Sequence, residues 1–214
     1  MSIRRIVVVI LVSLGALGAA RTVAAATIAI DALAFGVGST LTTFTGQLNG
    51  AEVNGVTVDG ILFQYSLGSG HVIFDGGPGV TNNITPPNIV SNFGSNSGIL
   101  SVTLPSAVDR FGYGFALLTN SAVPTATTIS LFSGATPVGS LSYPGAPDPV
   151  FSGGFAGIQS TLPFNRVEVT FNSSVGPAFA LDNVRTSTTA VPEPGTMFLL
   201  ATGLGALCIR RRRS

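Results

Sequence analysis

The sequence predicts an all-β fold, a β-sandwich or jelly roll, from three observations. Between residues 27 and 190, short runs of β-branched and aromatic residues recur roughly every ten residues, separated by Gly, Ser, Thr, Asn and Pro. From Phe111 to Leu117 every second residue is large and apolar, and the residues between them are small. No amphipathic helix of ordinary length is evident in this interval. Such a chain buries its apolar faces by packing sheet on sheet.

The strand patterns follow one another closely along this interval. In the segment Arg166–Phe171, Val167 and Val169 are expected to face the core, while Arg166 and Glu168 face water. Residues 76–97 are rich in Gly, Pro and Asn, which predicts a loop region with one short strand at Asn88–Val90. The other predicted strands are Thr27–Ala34, Val53–Val58, Ile61–Tyr65, His71–Phe74, Ile99–Leu104, Arg110–Leu117, Thr127–Phe132, Val138–Tyr143, Phe151–Ile158, Arg166–Phe171 and Ala178–Val184.

The first 26 residues have the pattern of a secretory signal peptide. Arg4 and Arg5 supply the charged start, and Ile6–Leu17 supplies the apolar segment. Ala24 and Ala26 are the small residues expected at a cleavage site, which we place after Ala26. We therefore expect export across the inner membrane by general secretion.

The last two dozen residues combine three features in a fixed order. They are the segment Val191-Pro192-Glu193-Pro194-Gly195, an apolar run to Ile209, and the cluster Arg210-Arg211-Arg212-Arg213. A helix over Gly195–Ile209 would rise about 22 Å, which is short against roughly 30 Å of hydrocarbon. Four consecutive arginines do not enter hydrocarbon cheaply, so they are expected to stop transfer in the cytoplasm. By physics alone this segment is a plain transmembrane anchor.

This ordered triplet resembles the PEP-CTERM sorting signal of Gram-negative bacteria. The resemblance implies that exosortase, a membrane-embedded cysteine protease, recognises Pro192, Glu193 and Pro194 and removes the helix. Anchoring would then be transient, and the cargo would continue to the cell surface or the extracellular polymer. The expected organisation is a signal peptide at residues 1–26, an extracellular β-sandwich at 27–185, a polar linker at 186–190 and the sorting signal at 191–214.

The targeting segments carry most of the positive charge. Seven of the ten arginines lie outside residues 27–190, and the chain has no lysine. Within that interval three arginines stand against eight acidic residues, a formal charge of −5. Such a domain lacks the basic surface that nucleic-acid binding requires, so we expect no nucleic-acid partner. The only cysteine, Cys208, lies in the tail, so the exported domain is expected to contain no disulfide.

A second, looser resemblance covers the domain itself. The segments Val108–Phe115, Phe155–Gly157, Ser160–Phe164 and Phe179–Arg185 resemble the β-sandwich cargo common among PEP-CTERM proteins. The ending Phe179–Val184 is also similar to the last strand of carbohydrate-binding jelly rolls of the galactose-binding-like type.

Some jelly rolls of that type hold a structural Ca²⁺ between an acid of the final strand and an acid of the first strand. The resemblance implies Asp182 and Asp31 for these positions. Calcium takes six to eight oxygen ligands, so backbone carbonyls would have to supply the rest. Without the ion, Asp182 would be a solvated or turn-capping carboxylate at a strand end.

The sequence offers little support for catalysis. His71 is the only histidine, and the domain has no cysteine, so a zinc site of these residues is excluded. A Ser-His-Asp triad would need His71, yet no Gly-x-Ser-x-Gly elbow on a strand-to-helix turn is present. Asp59, Asp75 and Asp109 offer carboxylates for glycoside hydrolysis, but sequence does not fix their separation.

The sequence thus predicts an exported, non-catalytic protein of the cell surface or extracellular matrix, associated with exopolysaccharide as a binding or structural component. Its expected partners are the secretion machinery, exosortase, the membrane through the tail before processing, and extracellular polysaccharide. A secreted glycan-acting hydrolase is the alternative function. A self-assembling surface protein is a third possibility, suggested by the low charge and the many short strands.

Overall fold

The structure is a computed structural model that describes residues 25–188. The segments up to residue 24 and from residue 189 onward, which include the predicted signal-peptide and tail helices, lie outside the described residues. Within residues 25–188 no helix has the length and hydropathy needed to cross a membrane. These residues form eleven strands and one short 3-10 helix at Ala32–Ala34. The strands are β1 (Thr27–Ala29), β2 (Thr40–Thr42), β3 (Val56–Val58), β4 (Ile61–Tyr65), β5 (Val72–Asp75), β6 (Asn88–Ser91), β7 (Ile99–Leu117), β8 (Val123–Ser133), β9 (Thr136–Asp148), β10 (Phe151–Phe171) and β11 (Phe179–Ser187).

The two longest strands, β7 and β10, pair antiparallel along nearly their whole length. The pairing runs from Leu117 opposite Ser152 to Ile99 opposite Thr170. It shifts register between Gln159 and Arg166, and such irregularities bend a strand and increase its twist. A bend at this level lets each strand contribute one half to each of two layers.

Hydrogen bonds connect all eleven strands, and the bend divides them into two packed layers. The first sheet contains β3, β4, the N-terminal half of β7, the C-terminal half of β10, β8 and β9. The second sheet contains β5, β6, β11, the C-terminal half of β7 and the N-terminal half of β10, with β1 and β2 at its margins. The predicted all-β fold is therefore confirmed, and its architecture is sandwich-like.

Aromatic side chains join the two layers. Phe171 of the first sheet stacks on Phe179 of the second, with ring centroids 4.0 Å apart. Tyr113 of the second sheet packs edge-on against Phe171, and its hydroxyl lies 2.6 Å from the Thr127 hydroxyl of β8. Because a buried phenol needs a hydrogen-bond partner, this bond fixes how the layers sit on each other. All these aromatic rings belong to one continuous buried core.

Several predicted strand bounds were wrong. The segments Ile99–Leu104 and Arg110–Leu117 form one strand, as do Phe151–Ile158 and Arg166–Phe171. Prolines and polar residues interrupt the apolar pattern at the bends, although the backbone stays extended there. The predicted strand Thr27–Ala34 ends at Ala29, and Asp31 then caps the 3-10 helix.

At the other end of the domain, β11 continues to Ser187 and so enters the predicted linker. The sequence pattern did not predict strand β2. The alternations are confirmed: Val167 and Val169 are buried, and Arg166 and Glu168 are only partly covered.

Loops lie directly on the outer face of the second sheet, and small residues make this possible. A Cβ atom built on Gly114 would lie 2.2 Å from the carbonyl oxygen of Asn83, which belongs to the loop between β5 and β6. A Cβ atom on Gly112 would similarly lie 2.6 Å from the Phe155 ring. The small residues that alternate with the core aromatics of β7 therefore leave room on the outer face of the sheet for a loop backbone and for the Phe155 ring.

We predict that Gly114→Ala destabilises the fold by about 1–3 kcal/mol, because the new methyl group must displace the backbone of the covering loop. Gly36→Ala is the matched control, since its Cβ meets nothing within 4 Å. It should change the free energy of unfolding by less than about 0.5 kcal/mol. Urea unfolding of both variants measures the difference, and equal midpoints would contradict the contact.

Candidate functional site

A buried carboxylate lies beneath the loop that covers the second sheet. Asp182 in β11 has 0% of its surface exposed. Its Oδ2 accepts a hydrogen bond of 2.8 Å from the backbone N–H of Thr85, whereas its Oδ1 is buried without a partner. The next residue, Asn183, has a φ of 52°, and the register between β11 and β7 shifts after Asp182. This irregularity helps to place the carboxylate under the loop instead of in solvent.

The loop itself is held by several polar contacts. Asn82 and Asn83 both have positive φ, a conformation that asparagine tolerates better than most residues. The Asn83 carbonyl accepts a 2.7 Å hydrogen bond from Nδ2 of Asn183, and Asp148 accepts bonds from the Asn82 N–H and the Thr81 hydroxyl. The peptide bonds Gly77-Pro78 and Pro86-Pro87 are cis. The asparagine-rich segment predicted as a loop is thus an ordered cover.

Burial sets the ionisation of Asp182. Loss of solvent raises the pKa of this carboxyl from 3.8 to about 6, although the backbone N–H groups of Thr85 and Asn183 lower it in part. A carboxyl with such a pKa can hold or release a proton near neutral pH. The protonation state of Asp182 affects how the loop packs on the sheet, because Oδ1 of the ionised carboxylate is buried without a hydrogen-bond partner.

An apolar cavity of about 160 Å³ lies on the same face of the second sheet. Its walls include Ala116, Ala180 and Phe179 of the sheet, together with Pro78 and Phe93. The lining is almost wholly apolar, so the cavity offers few groups that would orient a polar ligand.

Asp31 and Asp182 each have hydrogen-bond partners of their own in the structure. Asp31 follows β1, which pairs with β10, whereas Asp182 belongs to β11. Asp31 Oδ1 accepts hydrogen bonds of 3.0 Å from the N–H groups of Leu33 and Ala34. Within residues 25–188 no group of three or more His, Cys, Asp or Glu residues could hold a metal ion. Binding of one calcium ion by both carboxylates stays a prediction.

His71 makes one contact with a potential nucleophile. Its Nδ1 lies 2.9 Å from the hydroxyl of Ser95. Glu52 accepts hydrogen bonds from the backbone N–H groups of Asn54 and Gly70, and the latter directly precedes His71. Ser95 also contacts the core, because its carbonyl oxygen accepts a hydrogen bond from the Tyr65 hydroxyl. These contacts join loops around β4 and β5, which is a structural role.

The outer face of the first sheet carries a transverse row of polar side chains. The register places Gln64, Ser101, Glu168, Ser130 and Ser140 opposite one another on β4, β7, β10, β8 and β9. Five strands at about 4.8 Å spacing make this row about 19 Å long. We call it the polar row. A shallow depression of about 440 Å³ lies at its β4 end, lined by Gln64, Ser101 and Glu168 among others.

One ion pair and one aromatic ring flank the polar row. The Arg166 guanidinium donates to Glu168, and it also lies 4.0 Å from the centroid of the Phe132 ring. On the far side of the row, Ser130 and Ser140 are 3.1 Å apart and share a hydrogen bond. The side chains of the row are therefore partly ordered by each other. They present hydroxyl, amide and carboxylate groups along one line.

Sequence reasoning missed the polar row because the row exists only across strands. The alternation at Arg166–Phe171 showed that β10 has a polar face, but the register with four other strands was not available. Of the predicted signal-peptide residues, Ala26 is within the described part of the chain, and its N–H donates to the Thr161 hydroxyl of β10. Cleavage at this position stays a prediction.

The raised pKa of Asp182 predicts a pH-dependent stability. The folded-state pKa of about 6 exceeds the ordinary value of 3.8, so the folded chain binds more protons between these values. The contribution of Asp182 is therefore fully present below about pH 4 and is lost as the pH rises through about 6. Asp182→Asn should remove this dependence and stabilise the fold at pH 7, by at most about 3 kcal/mol.

Urea unfolding at pH 4 and pH 7 measures this effect, and Asp59→Asn is the matched control. Asp59 is exposed and has a φ of 51°, which asparagine also tolerates. The control should keep the pH dependence of the natural chain. If the Asp182→Asn variant loses stability between pH 4 and pH 7 as the natural chain does, the pH dependence does not come from Asp182.

Comparison with solved structures finds likenesses of low sequence identity. A point mutant of the carbohydrate-binding module CBM29-2 aligns at 11% identity over 73% of this chain and 98% of its own, with a TM-score of 0.41. Another CBM29-2 mutant, complexed with cellulohexaose, aligns at 12% identity over 72% and 94%, with a TM-score of 0.40. The catalytic domain of a GH87 α-1,3-glucanase aligns at 11% identity over 84% of this chain and 31% of its own, with a TM-score of 0.37.

Comparison with curated protein sequences finds no match. Comparison with protein families finds one match, in the segment that follows the β domain. The segment contains the Pro-Glu-Pro box, the apolar run and all four tail arginines. Residues 190–213 match the PEP-CTERM protein-sorting motif, so this chain carries an exosortase sorting signal behind an all-β domain.

Proposed function

We propose that this protein is an exported, non-catalytic surface or matrix component, which exosortase releases from its membrane anchor and which then associates with extracellular polysaccharide. The observation that carries the sorting part is the PEP-CTERM motif at residues 190–213. The association with polysaccharide is supported by the polar row on the first sheet.

The physics of the tail supports a transient anchor. Pro192 and Pro194 lack backbone donors and fix the chain at the entry of the predicted helix, where a missing N–H costs little. The helix is short for a bilayer, and the arginines behind it hold it in the membrane until it is cut. The Pro-Glu-Pro box is more specific than anchoring alone requires.

The polar row suits a neutral, hydroxyl-rich polymer. Its side chains both donate and accept hydrogen bonds, and they repeat at the strand spacing over about 19 Å. The exported domain has a formal charge of −5 and no lysine, which disfavours polyanionic partners. An extended polysaccharide lying across the strands would meet one polar side chain per strand.

Binding is favoured over glycan hydrolysis by the state of the carboxylates. Glycoside hydrolysis needs two carboxyl groups on either side of a sugar ring, one of them protonated. Asp182 has a raised pKa, but the Thr85 loop covers it completely. Glu168 is accessible, but its carboxylate is engaged by the Arg166 guanidinium. These two residues therefore do not present an acid and a base to one substrate.

Replacing Pro192, Glu193 and Pro194 by alanine should leave a full-length, membrane-retained protein, because the recognition box is lost while the apolar helix remains. The measurement is immunoblotting of membrane and extracellular fractions from cells that contain exosortase. Thr188→Ala with Thr189→Ala, outside the box, is the control and should be released normally. Normal release of the box variant would refute the sorting assignment.

Gln64→Ala combined with Glu168→Gln should weaken polysaccharide binding by about thirtyfold, because each of the two lost hydrogen bonds contributes about 1 kcal/mol. Affinity electrophoresis in gels that contain extracellular polysaccharide of the producing cells measures this retardation. Gln47→Ala, in the loop after β2, is the matched control. Release of reducing sugar during the assay would instead favour the hydrolase alternative, and unaltered retardation would exclude the polar row as the binding surface.

A further inference from the structure

Two large apolar side chains protrude from the loop between β1 and β2. Leu33 has 89% of its surface exposed, and Val37 is fully exposed. The residue between them in the alternation, Phe35, is 6% exposed and packs edge-on against Phe155, with centroids 5.9 Å apart. One side chain of the loop thus anchors it in the domain while its two neighbours point outward.

The loop is held in this shape by hydrogen bonds at both ends. Asp31 caps the short helix that carries Leu33, and the Ser39 N–H donates to the Gly36 carbonyl beyond Val37. The Arg110 guanidinium donates a 2.8 Å bond to the Ala34 carbonyl. The two apolar tips are therefore presented by an ordered loop, although solvation of such side chains is unfavourable.

This loop lies at the end of the domain from which the tail departs. Thr40, which follows the loop directly, pairs with Thr186, and Arg110 pairs with Ser187. A depression of about 190 Å³ is lined by Gly38 and Thr40 on one side and by Ser187 and Thr188 on the other. The last described residue is thus a neighbour of the exposed loop.

The tether between this end and the predicted membrane helix is short. Six residues lie between Thr188 and Gly195, and the seven residue steps span at most about 25 Å when fully extended. While the tail is embedded, the end that carries Leu33 and Val37 is therefore kept near the bilayer surface. Nearby acids are Asp31, which is engaged in its cap, and Asp59, which lines the same depression. They favour a zwitterionic lipid surface over an anionic one.

We propose that the loop Asp31–Ser39 inserts Leu33 and Val37 into the interfacial layer of the bilayer as long as the tail is uncut. This inference rests on the proposed function, because the tail supplies the local concentration that two side chains alone lack. Two buried apolar side chains give only weak, reversible membrane binding by themselves. Cleavage by exosortase therefore also releases this second contact, and the domain leaves the membrane.

The absence of tryptophan from the chain provides a direct test. The full chain is reconstituted into phosphatidylcholine vesicles with and without brominated acyl chains, carrying one tryptophan at a time: Leu33→Trp, Val37→Trp or Phe93→Trp. Phe93 is the matched control, since it is 77% exposed but adjoins Gly94, which bonds to Pro177 at the opposite end of β11. We expect blue-shifted emission and bromine quenching at positions 33 and 37 only.

A second variant tests the anchor in another way. Adding Leu33→Ser to the Val37→Trp chain should lower the insertion equilibrium about tenfold, because full burial of a leucine corresponds to roughly that factor. Leu48→Ser, another exposed leucine, should have no effect. All substituted side chains are exposed, so thermal melting should be unchanged and folding serves as the internal check.

The outcomes separate this inference from the proposed function. The vesicles contain no exosortase, so quenching does not depend on processing. A chain that floats with the vesicles but shows no quenching at positions 33 and 37, or equal quenching at all three positions, would overturn the loop contact and leave the sorting assignment intact. A chain that does not float with the vesicles would overturn the contact together with the anchoring on which it rests.

Discussion

The antiparallel pairing of β7 with β10 is the constraint on which the other parts of the structure depend. These strands supply neighbours to both sheets, so their register fixes which side chains of β4, β8, β9 and β11 come to lie side by side. The same pairing places the large residues of β7 inside and its glycines outside. A slip of one residue would exchange these faces and remove the core and the loop contacts together.

The two outer faces created by this pairing differ in kind. The second sheet has small residues on its outside, and loops lie on it so closely that Asp182 becomes a buried acid. The first sheet has polar side chains on its outside, and those of its polar row remain accessible in part. A covered face contributes packing and pH sensitivity, whereas an open face is available to a partner. This difference is why the polysaccharide proposal concerns the first sheet.

Sequence reasoning succeeded where the signal is local and linear. The alternation in β7 and β10 predicted buried aromatic and aliphatic rows, and the ordered tail predicted the sorting motif without any structure. It failed where the outcome depends on contacts between distant segments. The predicted strands ended at Leu104 and Ile158, whereas β7 and β10 continue through Pro105 and Pro163. Likewise, Asp182 was expected to be a calcium ligand or a solvated carboxylate, whereas it is buried beneath the loop that contains Thr85, 97 residues away.

The placement of the tail relative to the two faces connects sorting with binding. The tail leaves β11 beside the bend of β7, since Pro105, Ser106 and Thr188 line one depression. Ser101 of the polar row lies five residues before Ser106, which is roughly 16 Å along the strand. The row therefore lies on the flank of the domain, away from the end that the tether holds at the membrane. A polymer can approach this flank before and after cleavage, so binding does not have to wait for release, and release does not have to disturb binding.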